Sequence, residues 1–499
     1  MTPIDAVLTL GTWARSHPWH ILGGMGTAPV LATGIWLATR RRRQHQDTHG
    51  SARWATPQEV RKGQLFARHG VVLGRIGRQV LRHNGEAHVL LVGPTRGGKG
   101  VGVIIPTLLT WRESAVILDP KDGENYAVTG GWRRRYTHVA HFSPCRTPQT
   151  CINVLDTIRL KTYQEFGDAQ LIAQSLVAPE RMRHESATSL HFRELAALLL
   201  TATMLHVCYM SRRRSLAGVW DFLTQHQTSL NDCLKTMATT AHTSHGVHQA
   251  IASMTTAIKN ITGDRELSSV WTTAIRPLVL YSDPLIAAST DTSTMQLETL
   301  QYGPHPLSLY LIAPSPMALE RLHPLYRVIL DVAMTRLMEH PVRTWHHRLL
   351  ACCDELPWYG YTRAIDKGIA VMAGYGIKAL LVTQDLPALE QVYGEHTAIW
   401  GNTDVKIFHA PTNDLTAKRI SENLMGKSTV EHLVEQRQGG MMGHRSVSYQ
   451  HVGRPLLTTD EVMELDPRYE MIRMSGMKPI LCEKVDYRRE KVFQRRVAS

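Results

Sequence analysis

Gly93-Pro94-Thr95-Arg96-Gly97-Gly98-Lys99-Gly100 follows directly on the apolar run Val89-Leu90-Leu91-Val92. The apolar run reads as a buried strand, the glycine-rich stretch as a turn, and Lys99 to Thr110 as the helix that the turn opens. A loop in that place aims successive backbone N–H groups at one point, at the positive end of a helix dipole, and so holds phosphate groups. The spacing is G-x-x-x-x-G-K, the Walker A core. It predicts that Gly93, Pro94, Thr95, Arg96, Gly97, Gly98, Lys99 and Gly100 cradle the phosphates of ATP, with Lys99 reaching the β- and γ-phosphates as a point charge. The next position is ordinarily Ser or Thr, whose hydroxyl meets magnesium; Gly100 stands there instead. A strand–turn–helix without ligand has the same local pattern, so the loop alone does not decide the reading.

A second motif does. Leu349-Leu350-Ala351-Cys352-Cys353-Asp354-Glu355 is an apolar run ending in two acids, the Walker B arrangement. Asp354 is expected to hold Mg2+ through its water shell. Glu355 is expected to polarise the attacking water, since in-line attack on a γ-phosphate needs an oriented nucleophile. Gly376 to Thr383 is a further apolar strand capped by Gln384, the place where additional-strand ATPases carry a polar sensor of the γ-phosphate. Lys99, Glu355 and Gln384 are thus the expected catalytic set. Asp119, which ends the apolar run Ser114–Leu118, is passed over as the Walker B acid because Pro120 and Lys121 replace the second acid.

At 499 residues the chain has room for two or three domains. Lys and Arg number 56 against 43 Asp and Glu, a net of +13, which favours nucleic acid or an anionic membrane face over acidic small molecules. Part of the excess lies in short runs, Arg40–Arg43, Arg133–Arg135 and Arg212–Arg214, read here as solvated flanks. The seven cysteines are odd in number and form no C-x-x-C, which argues against a disulfide framework or zinc site and suits a reducing cytoplasm.

Residues 19–39 carry no Asp, Glu, Lys or Arg, and Trp19 and Trp36 sit near their ends. About 20 such residues cross a bilayer as a helix. Arg40–Arg43 follows at once, so the positive-inside rule puts the rest of the chain in the cytoplasm. The expected organisation is a membrane anchor at 1–43, a connector at 44–85 with β-character near Val71–Leu73, and an α/β nucleotide-binding domain in two parts, 86–170 and 286–499. Between them, 171–285 shows helical spacing (Leu195, Leu198, Leu199, Ala202, Leu205) with almost no strand alternation and reads as an inserted all-α domain. The core resumes at Pro306–Ile312, followed by a helix from about Pro324 to Met338.

Several segments together resemble the type IV coupling proteins, the TraG-like conjugal-transfer ATPases. They are Gly93 to Gly102, Leu118-Asp119-Pro120-Lys121, Asp354-Glu355-Leu356-Pro357, and Ala373 to Ile377 with Thr383-Gln384-Asp385-Leu386. Gly50 to Thr56 and Gly453 to Leu457 match as well, so the likeness covers roughly residues 50–496. The resemblance implies an inner-membrane ATPase with a RecA-like core and an all-α domain, working as a ring of six. It implies as partners the type IV secretion channel and a relaxase bound to single-stranded DNA, or effector proteins. It also implies an arginine supplied in trans, for which Arg363 and Arg419 are the candidates. Two departures stand: members carry two spanning helices where one is legible here, and Trp358-Tyr359-Gly360 replaces a smaller pair before glycine. A DNA translocase of the chromosome-segregation type and a non-catalytic membrane scaffold are the rival readings, the latter favoured by Gly100.

Overall fold

The computed structural model describes residues 50–177, 187–224, 229–260, 263–437 and 445–498. The anchor expected at 1–43 lies outside them. The described chain forms two compact units, one from 50–53 and 418–461, the other from 54–417 and 462–498.

The larger unit is built on one sheet. Its strands in chain order are β1 (Val71–Ile76), β2 (Gln79–His83), β3 (Val89–Val92), β4 (Ser114–Asp119), β5 (His138–Phe142), β6 (Leu307–Ile312), β7 (Leu349–Cys353), β8 (Ile377–Thr383) and β9 (Val405–Phe408). Strands β10 (Lys427–Arg437) and β11 (Arg445–Pro455) form a separate antiparallel pair in the smaller unit. Strands β12 (Tyr469–Met474) and β13 (Ile480–Glu483) return to the main sheet. Its order is β2-β1-β13-β12-β9-β3-β8-β7-β4-β6-β5.

From β9 to β5 every neighbouring pair is parallel. A parallel sheet is covered on both faces, so its strands are continuous apolar runs rather than alternating ones. Strands β3, β4, β6, β7 and β8 are buried at every residue, which is why their sequences were legible. From β9 outward through β12, β13, β1 and β2 the pairing is antiparallel. The β-character near Val71–Leu73 therefore belongs to a wing of the main sheet.

Between β5 and β6 the described residues contain helices and no strand. The longest, Ala187–Met210, packs against the helices Glu165–Leu176, Gln249–Lys259 and Asp264–Ile275. It is apolar and long enough to cross a membrane, yet 72% of its most apolar window is buried inside the protein, as befits a core helix of this region. After β6 the helix Pro316–Met338 begins eight residues before the sequence reading put it. Ser315 caps it, its hydroxyl accepting from the Ala318 N–H at 3.1 Å, and Pro316 takes the first turn, where no donor is needed. Pro324 sits inside the helix rather than at its start.

The run Arg133–Arg135 is not a uniform solvated flank. Arg133 is fully buried at the end of the helix Glu124–Arg133. Its guanidinium donates to Ser308 Oγ (2.7 Å) and to the carbonyls of Leu108 (3.0 Å), Trp111 (2.7 Å) and Glu113 (2.7 Å). One side chain thereby closes the carbonyl end of the helix Ile105–Thr110 against β6. Arg133→Met removes the side-chain donor from the Leu108, Trp111 and Glu113 carbonyls, and should lower stability by about 3 kcal/mol. Arg134→Met removes an exposed contact to Tyr126 and should change it by under about 0.5 kcal/mol. Equal shifts of the two variants in thermal unfolding followed by circular dichroism would contradict this assignment.

Candidate nucleotide site

All seven parallel strands end at the same edge of the sheet, where open α/β folds place their ligands. Strand β8 lies between β3 and β7, with Val89–Val92 paired to Leu380–Thr383 and Leu349–Cys353 to Ile377–Leu381. The loop after β3, the acids after β7 and Gln384 after β8 are thereby brought to neighbouring strand ends.

The loop is anchored where it leaves the sheet: the Gly93 N–H donates to Thr383 O of β8 at 3.1 Å. It then turns tightly, with the Gly97 N–H on Pro94 O at 2.9 Å. Arg96 (φ 62°) and Gly98 (φ 91°) both hold left-handed backbone, and Gly98 is where glycine is needed most, since the chain there reverses into the helix. Lys99 caps a π-helical turn, Gly100–Ile104, that runs into the helix Ile105–Thr110. A Cβ built on Gly100 meets nothing within 4 Å, so no neighbour forbids the usual hydroxyl residue there.

The Lys99 ammonium is buried, at 5% exposure, and has three oxygens around it. It lies 2.7 Å from Gly93 O, 3.4 Å from Pro94 O and 2.9 Å from Glu355 Oε1. Glu355 is 3% exposed and has left-handed backbone, φ 54° and ψ 52°. Non-glycine residues held there cost of order 1 kcal/mol or more and persist where their surroundings fix them. The two halves of the nucleotide motif thus meet in a direct ion pair.

Asp354 is fully buried beside it. Burial raises its carboxyl to about 6, against the pull of Lys121 and Lys99, with Glu355 adding to the rise. Its Oδ1 has no hydrogen-bond partner. The neighbouring strand end supplies a residue the sequence reading passed over. Asp119 closes β4, paired to β7, and the Asn125 amide lies 3.5 Å from both Asp119 Oδ1 and Asp354 Oδ2. The Tyr126 N–H holds Asp119 Oδ2 at 3.0 Å. Burial, with Asp354 and Glu124 contributing, pushes the Asp119 carboxyl up to about 7. Its sequence signal was an acid at the end of a wholly apolar run; its place beside Asp354 follows only from the β4–β7 pairing. Sequence reading missed Asn125 outright.

A buried carboxylate oxygen without a partner suits a hard cation. Mg2+ is such a cation: it keeps several waters and binds through one or two carboxylates together with phosphate oxygens.

Gln384, the residue next to β8, is partly buried beside the Thr383 carbonyl that anchors the loop. Arg363 opens the helix Arg363–Met372 and donates to Gln174 Oε1 at 2.8 Å, lining a cavity of about 340 Å³ with Gln174 and Asp331. Arg419 ends the helix Asp414–Arg419 and belongs to the smaller unit. All seven cysteines are free.

Residues 43–499 match the family model described as Type IV secretory system Conjugative DNA transfer. Conjugal transfer protein TraG of Escherichia coli is 33% identical, over 91% of this chain and 78% of that one. Protein VirD4 of Rhizobium rhizogenes is 27% identical, over 94% and 70%. Among solved structures, plasmid coupling protein TrwB in complex with ADP and Mg2+ superposes with a TM-score of 0.65 at 17% identity, covering 89% of this chain and 96% of that one. TrwB with a non-hydrolysable ATP analogue gives 0.66 at 16% identity, with the same coverage. At such identities the likeness is one of fold. On its family match and its relatives, this chain belongs to the type IV secretory system conjugative DNA-transfer family, the coupling proteins that link conjugative DNA transfer to the type IV secretion system.

Proposed function

We propose that the chain is an inner-membrane P-loop ATPase that uses ATP hydrolysis to recruit a nucleoprotein, a relaxase on single-stranded DNA, or an effector protein, and pass it to the type IV secretion channel. The Lys99–Glu355 contact at the shared strand edge carries the reading. It brings a phosphate-binding lysine and a water-orienting acid, distant in sequence, within one hydrogen bond of each other.

The backbone of Gly93–Gly100 binds the phosphates through its N–H groups. Lys99 leaves the Gly93 carbonyl and Glu355 to meet the β- and γ-phosphate oxygens, whose charge it balances. Freed of its ammonium partner, Glu355 orients and deprotonates the attacking water. Asp354, supported by Asn125 and Asp119, would hold Mg2+, which when bound would supply charge neutralisation at the phosphate oxygens. Gln384 reports the state of the γ-phosphate to β8. A ring of six such chains would supply an arginine from the neighbouring subunit, with Arg363 and Arg419 as candidates. Basic residues facing the ring would track a DNA backbone without reading bases, so binding weakens as salt rises. The anchor read at 19–39 would hold the ring at the membrane with the bulk of the chain cytoplasmic.

Lys99→Ala should abolish ATP turnover, and Glu355→Gln should leave ATP bound but uncleaved. Either variant hydrolysing ATP at the wild-type rate would contradict the site. In mating assays with a deletion strain, the wild-type gene should restore DNA transfer. The Lys99→Ala gene should fail to do so while pili still assemble, and transfer at the wild-type level would overturn the motor reading.

A pH dependence follows from Asp354. Only its ionised form serves Mg2+, and its carboxyl titrates at about 6. Magnesium-dependent nucleotide affinity should therefore be steady above pH 7 and fall by roughly tenfold per pH unit below 6, as one proton competes at the site. Isothermal titration across pH 5 to 8 checks this; a flat profile would exclude Asp354 as the cation's carboxylate.

A further inference from the structure

Three side chains from outside the P-loop bracket it from behind. His409, just past β9, donates its backbone N–H to Val92 O at 2.9 Å, and its ring lies against Gly93. A Cβ on Gly93 would fall 2.9–3.0 Å from that side chain, so only glycine fits there. His409 Nε2 is 3.0 Å from Glu470 Oε2, on the neighbouring strand β12, and both residues are 1% exposed. Glu470 Oε1 has no hydrogen-bond partner. Lys484, just past β13, carries its ammonium to the tip of the loop and donates to Gly97 O at 2.9 Å. Burial lowers Lys484, and Glu470 acts against that by its charge.

We propose that Lys484 is a positioning residue for nucleotide binding, fixing the Gly97–Gly98 peptide plane so that the Gly98 N–H faces the phosphates, while the His409 ring packs against the loop at Gly93. In a trans peptide the carbonyl and the following N–H point in opposite directions. Holding Gly97 O on the Lys484 side turns the Gly98 N–H to the other side of the loop. With glycine on both sides, Gly97 and Gly98, that peptide meets little steric resistance to flipping unless something holds it. The antiparallel wing thereby takes part in the chemistry of the parallel core. This inference rests on the nucleotide reading above.

The test is equilibrium binding of a fluorescent ATP analogue with Mg2+ to the full chain, alongside steady-state turnover and thermal unfolding without nucleotide. Lys484→Met should weaken nucleotide binding roughly tenfold or more, as loss of a charge-assisted hydrogen bond does. It should leave kcat at saturating ATP within about twofold and the nucleotide-free melting temperature unchanged. Lys484→Arg should restore most of the affinity. Should Lys484→Met not fold, Lys484→Gln, which keeps a neutral donor on a shorter stem, should weaken binding in the same direction. Unchanged affinity in the variants overturns the inference, as does a loss matched by a lower nucleotide-free melting temperature. A wild-type chain that binds no nucleotide defeats the nucleotide reading itself; one that binds it, with Lys484→Met binding equally well, defeats only the role given to Lys484.

Discussion

The buried contact between Lys99 and Glu355 is the interaction on which the rest of the site turns. Two charges taken out of water are tolerable only when each satisfies the other and the remaining donors and acceptors are met. Here the ammonium also has the Gly93 and Pro94 carbonyls. The acid is held by a left-handed residue at the start of a short helical turn, Leu356–Tyr359. The pair exists because only β8 lies between β3 and β7, a separation of about 10 Å that a lysine on one loop can span to an acid on the other. On the function proposed above, phosphate oxygens would replace the carboxylate at Lys99, and the carboxylate would then be free for water.

Around that contact the protein keeps negative charge in short supply of solvent. Asp354 and Asp119 both have carboxyls raised by burial, and a single amide, Asn125, sits between them. Carboxylates that favour the neutral state when alone gain most from a cation that allows them to ionise. On the other flank, Lys484, His409 and Glu470 set a second buried polar group against the loop. The loop is therefore tied to the parallel core through Lys99 and Glu355 and to the antiparallel wing through Lys484.

The core strands were legible because burial on both faces leaves uninterrupted apolar runs, and the loop was legible because its chemistry is local. Glu355 and Asp354 could be read as one motif for the same reason. Asp119 could not, since what makes it part of the site is the pairing of β4 with β7 and not its own neighbours Pro120 and Lys121. Arg133 looked like a surface cation in a run of three; its burial depends on carbonyls of Leu108, Trp111 and Glu113 arriving from elsewhere. Pro324 suggested a helix start, and the helix instead continues through it. The long hairpin of β10 and β11 had no counterpart in the sequence reading, because charged residues interrupt its apolar positions. Where a residue's role is set by contacts distant in the chain, single-sequence pattern is silent.

The most direct measurement is a structure of the protein with Mg2+ and a non-hydrolysable ATP analogue. The account predicts that phosphate oxygens lie within hydrogen-bond distance of Lys99 Nζ, that the 2.9 Å contact between Lys99 and Glu355 is broken, and that Asp354 faces the metal through water. Nucleotide bound elsewhere, with Lys99 and Glu355 still paired, would contradict it.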